Sequence, residues 1–292
     1  MALSKEKLHG TLCVLAAGVC WGTTGTIQAY APPEASSLTI GAARVLFAGI
    51  ILLAYRLAKK GPAFLGGSWS KAGVFWAAFG LAAYQLTFFS AVRLTGVAVG
   101  TMVAIGAAPP VAGAFGYLFF REKLSWRWLI STLLAVGGCT LLILGGNKGS
   151  LNVSLFGVLL AFCAAVSYAL EGLGLRLIKG KGPYDVIAVV SFVSGLMALP
   201  WMGWEICWML TPRGALCMAL LTVFSTILPY TLFTLGIAKI SLGAAYTMGL
   251  SEPLTAWFLS AVLLGESLSL IGLTGVAMLF AGILLLAFSK NA

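Results

Sequence analysis

Long stretches without a charged residue constrain this chain more than any other feature of its sequence. A helix that crosses about 30 Å of hydrocarbon needs roughly 20 mainly apolar residues. Intervals of about 20 or more uncharged residues lie between the following pairs of charges: Arg93 and Arg121, Arg127 and Lys148, Lys148 and Glu171, Arg213 and Lys239, and Glu266 and Lys290. We therefore expect the chain to cross a membrane several times.

The composition excludes the common soluble classes of protein. Hydrophobic residues make up 60% of the chain and charged residues only 9%, against about 25% charged in an ordinary soluble domain. The mean hydropathy is +1.02. So few charges cannot coat a water-facing surface of this size, which excludes a soluble enzyme, a disordered chain and a nucleic-acid-binding domain. The expected fold class is an all-α integral membrane protein surrounded by lipid, with no nucleic-acid partner.

The apolar runs predict ten transmembrane helices when their Pro, Gly and charge boundaries are taken into account. The predicted spans are 9–30, 37–58, 71–94, 97–119, 126–145, 154–178, 185–203, 213–238, 242–264 and 269–289. Their connections are short, so no soluble domain is inserted between them. Lys5 and Lys7 precede the first span as in a secretory signal, but Pro32 directly after Ala29–Ala31 favours an uncleaved helix.

The basic residues predict the orientation of these spans. With the N-terminus inside, most Lys and Arg residues fall in cytoplasmic segments, whereas Arg93, Lys148 and Arg213 fall on the opposite side. Such a bias is typical of the cytoplasmic face of a membrane protein. Both termini are therefore expected in the cytoplasm, and the expected location is the inner (plasma) membrane of a bacterium.

The sequence contains an internal repeat. The segment 105–142 aligns with 249–286 at one constant offset. The matched pairs include Pro109 with Pro253, Ala112 with Ala256, Glu122 with Glu266, Ser125 with Ser269, and Gly138 with Gly282. The chain therefore divides into two five-helix units, 1–148 and 149–292, within one membrane domain.

Five spans per unit force the second unit into the opposite orientation. Glu122 is then cytoplasmic and its counterpart Glu266 is external. An inverted repeat of this kind is typical of secondary transporters, which alternate between inward-open and outward-open states around a site near the midplane.

Several motifs make the chain resemble the drug/metabolite transporter superfamily, in its EamA group of ten-helix exporters. The motifs are Cys20-Trp21-Gly22, Arg44, the stretch from Pro109 to Arg121-Glu122-Lys123-Leu124, Glu252-Pro253, and Gly265-Glu266. The resemblance covers essentially the whole chain and is greatest to YddG-type exporters of aromatic and other amino acids. The first unit has Ala108-Pro109 where the family often has Glu-Pro, so a carboxylate role at that position depends on Glu252 alone.

Three ionisable residues lie within the predicted spans, where charge is costly and often functional. Glu252 is a candidate for binding a substrate ammonium group or a proton, the alternative being a protonated acid that bonds a neighbouring helix. Glu171 is the second candidate for proton coupling, the alternative being an ion pair near the inner interface. Arg44 can meet a substrate carboxylate, although a helix-to-helix anchor is the simpler interpretation.

Prolines inside the spans mark candidate helix breaks, because a proline leaves the carbonyl four residues earlier without its helical partner. Pro253 frees the carbonyl of Gly249 beside Glu252. The other breaks are Pro109 and Pro110, which free the carbonyls of Ile105 and Gly106, and Pro229 beside Tyr230. Paired breaks in two repeats indicate a transport site, while simple kinking is the alternative for any one of them.

Four aromatic residues form two pairs related by the repeat. Trp21 pairs with Tyr168, and Tyr84 pairs with Tyr230. All four lie away from the predicted helix ends, outside the interfacial belt where Trp and Tyr usually concentrate. Because a Tyr hydroxyl at that depth needs a polar partner or a wet cavity, we expect these four to line a substrate cavity rather than to serve only as core packing.

The expected function is export of small metabolites by alternating access, amino acids above all, and especially aromatic and other neutral ones. The alternatives are efflux of lipophilic organic cations, with Glu252 as countercharge, and a membrane-embedded lipid-processing enzyme or lipid carrier. No Walker A loop is present, so energy must come from a substrate gradient or a coupled ion. With His9 the only histidine and no C-x-x-C pair, neither a metal site nor a cofactor nor enzymatic activity is expected. The sequence leaves open the exact substrate, the choice between facilitator and proton antiporter, and the oligomeric state, and it is compatible with a monomer.

Overall fold

The computed structural model describes residues 5–146, 154–202, 206–264 and 269–288. Within these ranges the regular elements are all helical. The α-helices are α1 (Lys5–Gly22), α2 (Thr24–Ala29), α3 (Ser37–Lys60), α4 (Lys71–Phe120), α5 (Trp126–Gly146), α6 (Leu155–Leu177), α7 (Pro183–Ala198), α8 (Pro212–Thr222), α9 (Leu228–Ile237), α10 (Leu242–Gly249), α11 (Ser251–Leu264) and α12 (Leu270–Ala287). Short 3₁₀ turns lie at Gly61–Leu65, Leu199–Trp201 and Cys207–Leu210, and a π-helical turn at Val223–Ile227 joins α8 to α9. The predicted positions of Lys148, Glu266 and Lys290 lie outside the described residues.

Hydroxyl side chains begin many of these helices. At each such start, a Ser or Thr side chain accepts a hydrogen bond from a backbone N–H in the first turn, which satisfies a donor without a helical partner. The capping residues are Ser36, Ser70, Ser154, Thr211, Ser241 and Ser269. The short polar breaks between apolar runs are therefore also the points where the helices start.

Eight helical segments in the described residues are long and apolar enough to span a membrane, fewer than the ten predicted spans. Two predicted spans, 71–94 and 97–119, form the single 50-residue α4. The predicted span 242–264 is divided at Leu250 into the shorter helices α10 and α11. The difference therefore comes from one continuous segment and one broken segment rather than from missing helices.

Helix α4 bends back on itself at Gly96. A straight helix of this length would extend for about 75 Å, more than twice the roughly 30 Å of a hydrocarbon core. Gly96 alone in α4 has non-helical dihedral angles, φ 79° and ψ 163°, a region that glycine enters without steric cost. Beyond it, the backbone of Gly100 lies against the backbone of Val92. The halves of α4 before and after Gly96 thus run side by side.

Helices α5 and α12 pack closely through small residues. The backbone of Gly138 lies against Leu279 and Gly275, and the backbone of Gly282 lies against Ala135 and Ser131. Residues later in α5 contact residues earlier in α12, so the two helices run antiparallel. Glycine at these positions lets the backbones approach, since a Cβ atom would overlap the facing helix.

The remaining helices enclose the core. Helix α6 packs mainly on α4, α7 on α3, and α9 on α1, while α10 lies against α4. Their buried faces form one large apolar cluster that includes Val14, Leu81, Ile187, Phe233 and Met248. A cavity lies between these helices on one side of that cluster.

Candidate functional site

A cavity of about 300 Å³ lies between α1, α2, α3, α4, α6, α9 and α11. Its lining joins an aromatic wall to a small set of polar side chains. The polar and charged members are Thr24, Gln28, Arg44, Gln85, Thr101 and Glu252, and the aromatic members are Trp21, Tyr84, Phe88, Phe89, Tyr168 and Tyr230. Its volume lies at the lower end of the roughly 300–1,000 Å³ typical of small-molecule sites.

The four aromatic residues predicted from the repeat all line this cavity. The Trp21 ring lies 5.2 Å from Tyr230 and 6.1 Å from Tyr168, centroid to centroid, and both pairs meet edge to face. Tyr84 lies 5.4 Å from Tyr168. Aromatic rings at these separations interact favourably, so residues from four separate segments form a continuous wall.

Glu252 also lines the cavity, in the first turn of α11. It follows the interruption of the helix at Leu250, so the carboxylate lies near the start of α11, where backbone N–H groups favour negative charge. Leu250, the single residue between α10 and α11, stays in the right-handed helical region with φ −63° and ψ −1°. The two helices are therefore consecutive parts of one segment, interrupted where Pro253 has no N–H to donate to the Gly249 carbonyl.

The predicted helix-break residues fall mainly outside the cavity. Ile105 lines it, but Gly106, Gly249 and the four prolines Pro109, Pro110, Pro229 and Pro253 are not among the lining residues. Pro109 and Pro110 lie inside the continuous α4, and Pro229 lies at the start of α9 just after the π-helical turn. These residues shape the helices around the site without contacting its interior.

Glu171 takes a different position from Glu252. Its side chain is 1% exposed and is not part of the cavity lining. Among the described residues, neither carboxylate oxygen has a hydrogen-bond partner. The backbone of Gly80 on α4 packs directly against the backbone of Glu171. The structure thus separates the two carboxylates that the sequence offered for the same role.

Arg44 lines the cavity from α3 while being 7% exposed. One terminal guanidinium nitrogen donates to Ser225 Oγ at 2.5 Å, and Ser225 Oγ lies 2.5 Å from Thr24 Oγ1. Ser225 belongs to the π-helical turn, a feature that often occurs at functional sites. Arg44 is therefore both a link between helices and a cavity residue, and the two interpretations of its role are compatible.

Gln85 is one of four polar lining residues that the sequence analysis did not single out, together with Thr24, Gln28 and Thr101. It is 1% exposed, and neither of its amide atoms has a hydrogen-bond partner in the described residues. The available signal was its place beside Tyr84 in a long charge-free interval. An amide in such a span needs a partner, as the Tyr hydroxyls do.

The far side of the aromatic wall is closed. Tyr246 Oη donates to the backbone carbonyl of Tyr168 at 2.5 Å, and Phe233 contacts both rings. Beyond this layer, Glu122 at the end of α4 pairs with Arg176 and accepts a hydrogen bond from the Leu242 N–H at 2.9 Å. We call this side the Glu122 end and the opposite side the Gly96 end. The cavity lies toward the Gly96 end.

A second cavity, of about 630 Å³, lies at the Glu122 end. Its charged lining residues are all basic: Arg176, Lys179, Lys181 and Lys239. The apolar residues Leu175, Val186 and Ile237 also line it, and each of these three is buried. Cavities therefore lie on both sides of the layer formed by Tyr168, Phe233 and Tyr246.

Comparison with known proteins places these features in a family. Residues 8–144 and 155–288 each match the sequence model of the EamA-like transporter family. The chain is 37% identical to the uncharacterized transporter YwfM of Bacillus subtilis strain 168, over 95% of this chain and 93% of that protein. It is 28% identical to the uncharacterized inner membrane transporter YicL of Salmonella typhimurium strain LT2, over 97% and 96%.

A solved crystal structure has the same fold. It superposes with a TM-score of 0.81 over 97% of this chain and 96% of that chain, at 16% sequence identity. Identity this low extends the likeness to the fold alone.

Proposed function

Because this chain belongs to the EamA-like transporter family, a family of multi-pass membrane transporters, we propose that it exports amino acids across a bacterial inner membrane. The observation that carries the proposal is the cavity that combines Trp21, Tyr84, Tyr168 and Tyr230 with Arg44 and Glu252. Aromatic faces suit an apolar side chain, and two opposite charges suit the ends of a zwitterion.

We further propose that the chain forms ten membrane crossings as two inverted five-helix repeats, 1–148 and 149–292. The contacts between α5 and α12 support this arrangement. Gly138 contacts Leu279 and Gly275, and Gly282 contacts Ala135 and Ser131, so each contact is repeated with the two helices exchanged. Since these helices are antiparallel, a twofold axis that exchanges them must lie across the helices, in the membrane plane. The two separate matches to the family also support the division.

Transport by alternating access follows from this symmetry. The aromatic layer and the Glu122–Arg176 pair close one side of the cavity. The basic residues at the Glu122 end favour a cytoplasmic location for that end. The structure then corresponds to an outward-facing state, and the inward-facing state requires these contacts to separate.

Efflux of lipophilic organic cations is the second candidate, and a specific observation favours it. Glu252 lies in a cavity walled by aromatic faces, an arrangement that binds cations well. Arg44 in the same cavity, and the basic residues that line the second cavity, oppose it because they repel a cation. An amino acid satisfies both signs of charge, which is why we prefer it.

Uptake into proteoliposomes tests the proposal directly. The panel is neutral amino acids, a lipophilic cation and a sugar phosphate, each radiolabelled, with protein-free liposomes as the blank. We expect saturable transport of an amino acid. Transport of the lipophilic cation alone would favour the second candidate, and transport of the sugar phosphate alone would contradict both.

The aromatic wall provides a matched pair of variants for the same assay. We expect Tyr84→Ala to lower transport about tenfold or more, because a Tyr ring is lost from the substrate wall. Tyr117→Ala, on the same helix but with its side chain 61% exposed, should transport like the parent. If Tyr84→Ala keeps full transport per folded molecule, the wall is packing only.

A further inference from the structure

Two buried polar side chains in the cavity carry donor or acceptor atoms without a hydrogen-bond partner among the described residues. Gln85 is 1% exposed and neither amide atom has a partner in the described residues. The Nε atom of Arg44, 7% exposed, also lacks a partner there. A buried polar group without a hydrogen bond is costly, and native structures retain few of them. Both residues line the same cavity, so a ligand in that cavity can supply the missing partners.

The packing of α3 against α4 brings these two side chains to the same region. The Gln85 amide lies against the backbone of Gly41, so closely that a Cβ at position 41 would overlap it. Arg44 lies three residues after Gly41, on the same face of α3. Because Gly41 has no side chain, the Gln85 amide fits next to the turn of α3 that carries Arg44.

The Arg44 guanidinium is held in place by a hydroxyl group, and no carboxylate in the described residues contacts it directly. Ser225 Oγ accepts one of its N–H groups and is linked in turn to Thr24. No ion pair within 4.0 Å joins Arg44 to a carboxylate among the described residues, although Glu252 lines the same cavity. A positioned guanidinium without an anion is suited to bind a carboxylate through two parallel hydrogen bonds.

We propose that Arg44 and Gln85 form a subsite for the carboxylate group of the substrate. Arg44 supplies the charge and the N–H donors, and the Gln85 amide nitrogen donates a further hydrogen bond. Glu252 then remains for the ammonium group, and the aromatic wall for the side chain. This inference rests on the proposed function, since it names the group by which an amino acid is recognised.

Changing the carboxyl group of the substrate is the most direct test of the subsite, because it needs no protein variant. The parent protein is reconstituted and offered one amino acid, its uncharged α-carboxamide and the corresponding amine without the carboxyl group. We expect the amino acid to compete for transport about tenfold or more better than either analogue, since a charge-assisted bidentate contact is lost in both. If the three compete equally, the subsite is wrong although amino acid transport stands. If none is transported, the proposed function fails and the subsite fails with it.

Variants identify the residues. Gln85→Leu keeps the size of the side chain but removes its amide, and we expect it to lower the preference for the amino acid over its amide. Ser194→Ala is the matched control and should keep that preference, because it removes another buried polar group without a partner in the described residues but lies outside the cavity lining. Arg44→Lys retains the positive charge but lacks the planar guanidinium that forms two parallel hydrogen bonds. It should therefore lose most of the preference for the amino acid over its amide. An unchanged ratio of amino acid to amide in folded Gln85→Leu and Arg44→Lys would overturn the assignment.

Discussion

The two intramembrane carboxylates differ in what their side chains reach. Glu252 lines the cavity with Arg44 and Tyr84, whereas Glu171 is buried outside its lining. Only the first can contact a substrate in this state of the molecule. Glu171 has no hydrogen-bond partner in the described part of the chain, so the predicted role in proton coupling would require contacts made in another state of the molecule.

Replacing Glu252 separates these two carboxylates by experiment. Glu252→Gln keeps the size of the side chain but cannot ionise, so we expect transport to fall and to lose its dependence on pH. In the parent, only the ionised form attracts an ammonium group, so binding should strengthen as pH rises and the carboxyl loses its proton. Transport by reconstituted protein across a pH series is the measurement.

Glu171→Gln is the matched control in that series. It removes the other intramembrane carboxylate without altering the cavity lining, and we expect it to keep the pH profile of the parent. A parental profile in Glu252→Gln would assign Glu252 to structure and leave Glu171 as the candidate for proton coupling.

At the scale of elements, small residues determine which helices meet. Gly138 and Gly282 each lie against the backbone of the facing helix in the α5–α12 pair. Without a hydrophobic driving force between helices in lipid, such close packing is a main source of association. Larger residues at Gly138 or Gly282 should therefore destabilise the packing of α5 against α12.

We expect Gly138→Val to destabilise the protein by about 1–3 kcal/mol, because its side chain would meet backbone atoms that cannot move aside cheaply. Thermal unfolding in detergent, followed by intrinsic fluorescence, measures the loss. Gly146→Val at the end of the same helix is the control, since a Cβ there meets nothing within 4 Å. Equal melting temperatures for the two variants would contradict the packing argument.

At the scale of the whole molecule, the two ends are not equivalent. The Glu122 end is closed by the layer of Tyr168, Phe233 and Tyr246, while the cavity lies toward the Gly96 end. In an inverted repeat, the conformation with the opposite asymmetry is available from the same sequence. Under the proposed inverted repeat, we therefore expect the direction of net transport to be determined by gradients and by coupling rather than by the fold.

Cysteine labelling tests the proposed orientation of these ends. Lys59→Cys, at the end of α3, is expected to react with a membrane-impermeant maleimide only after the cells are permeabilised. Arg213→Cys, at the start of α8, should react in intact cells. The parent, with its six cysteines, controls for background labelling. Reaction of both positions from the same side would contradict the ten-crossing topology.

The sequence by itself determined the membrane class, the approximate helix positions and four of the aromatic residues that line the cavity. Burial in lipid is encoded by local hydropathy, so charge-free intervals identify spans without knowledge of contacts. The repeat predicted from the sequence selected Trp21, Tyr84, Tyr168 and Tyr230, and all four line the cavity. These predictions needed only residues close together in the chain or the alignment of the two repeats, whose offset shifts by two or three residues between the Pro109–Pro253 match and the aromatic pairs.

Only the tertiary structure decided which polar residues share the cavity. Gln85 and Arg44 line the same cavity, and Gly41 leaves room for the Gln85 amide beside α3. Arg44 is held by Ser225, which lies in a π-helical turn far away in sequence. The same packing separated Glu252 from Glu171 and left Pro109 and Pro253 outside the lining. Which side chains line the cavity depends on how each helix is rotated and on where small residues let facing helices approach. Both are determined by contacts between segments that are distant in the sequence. Hydropathy carries no information about them.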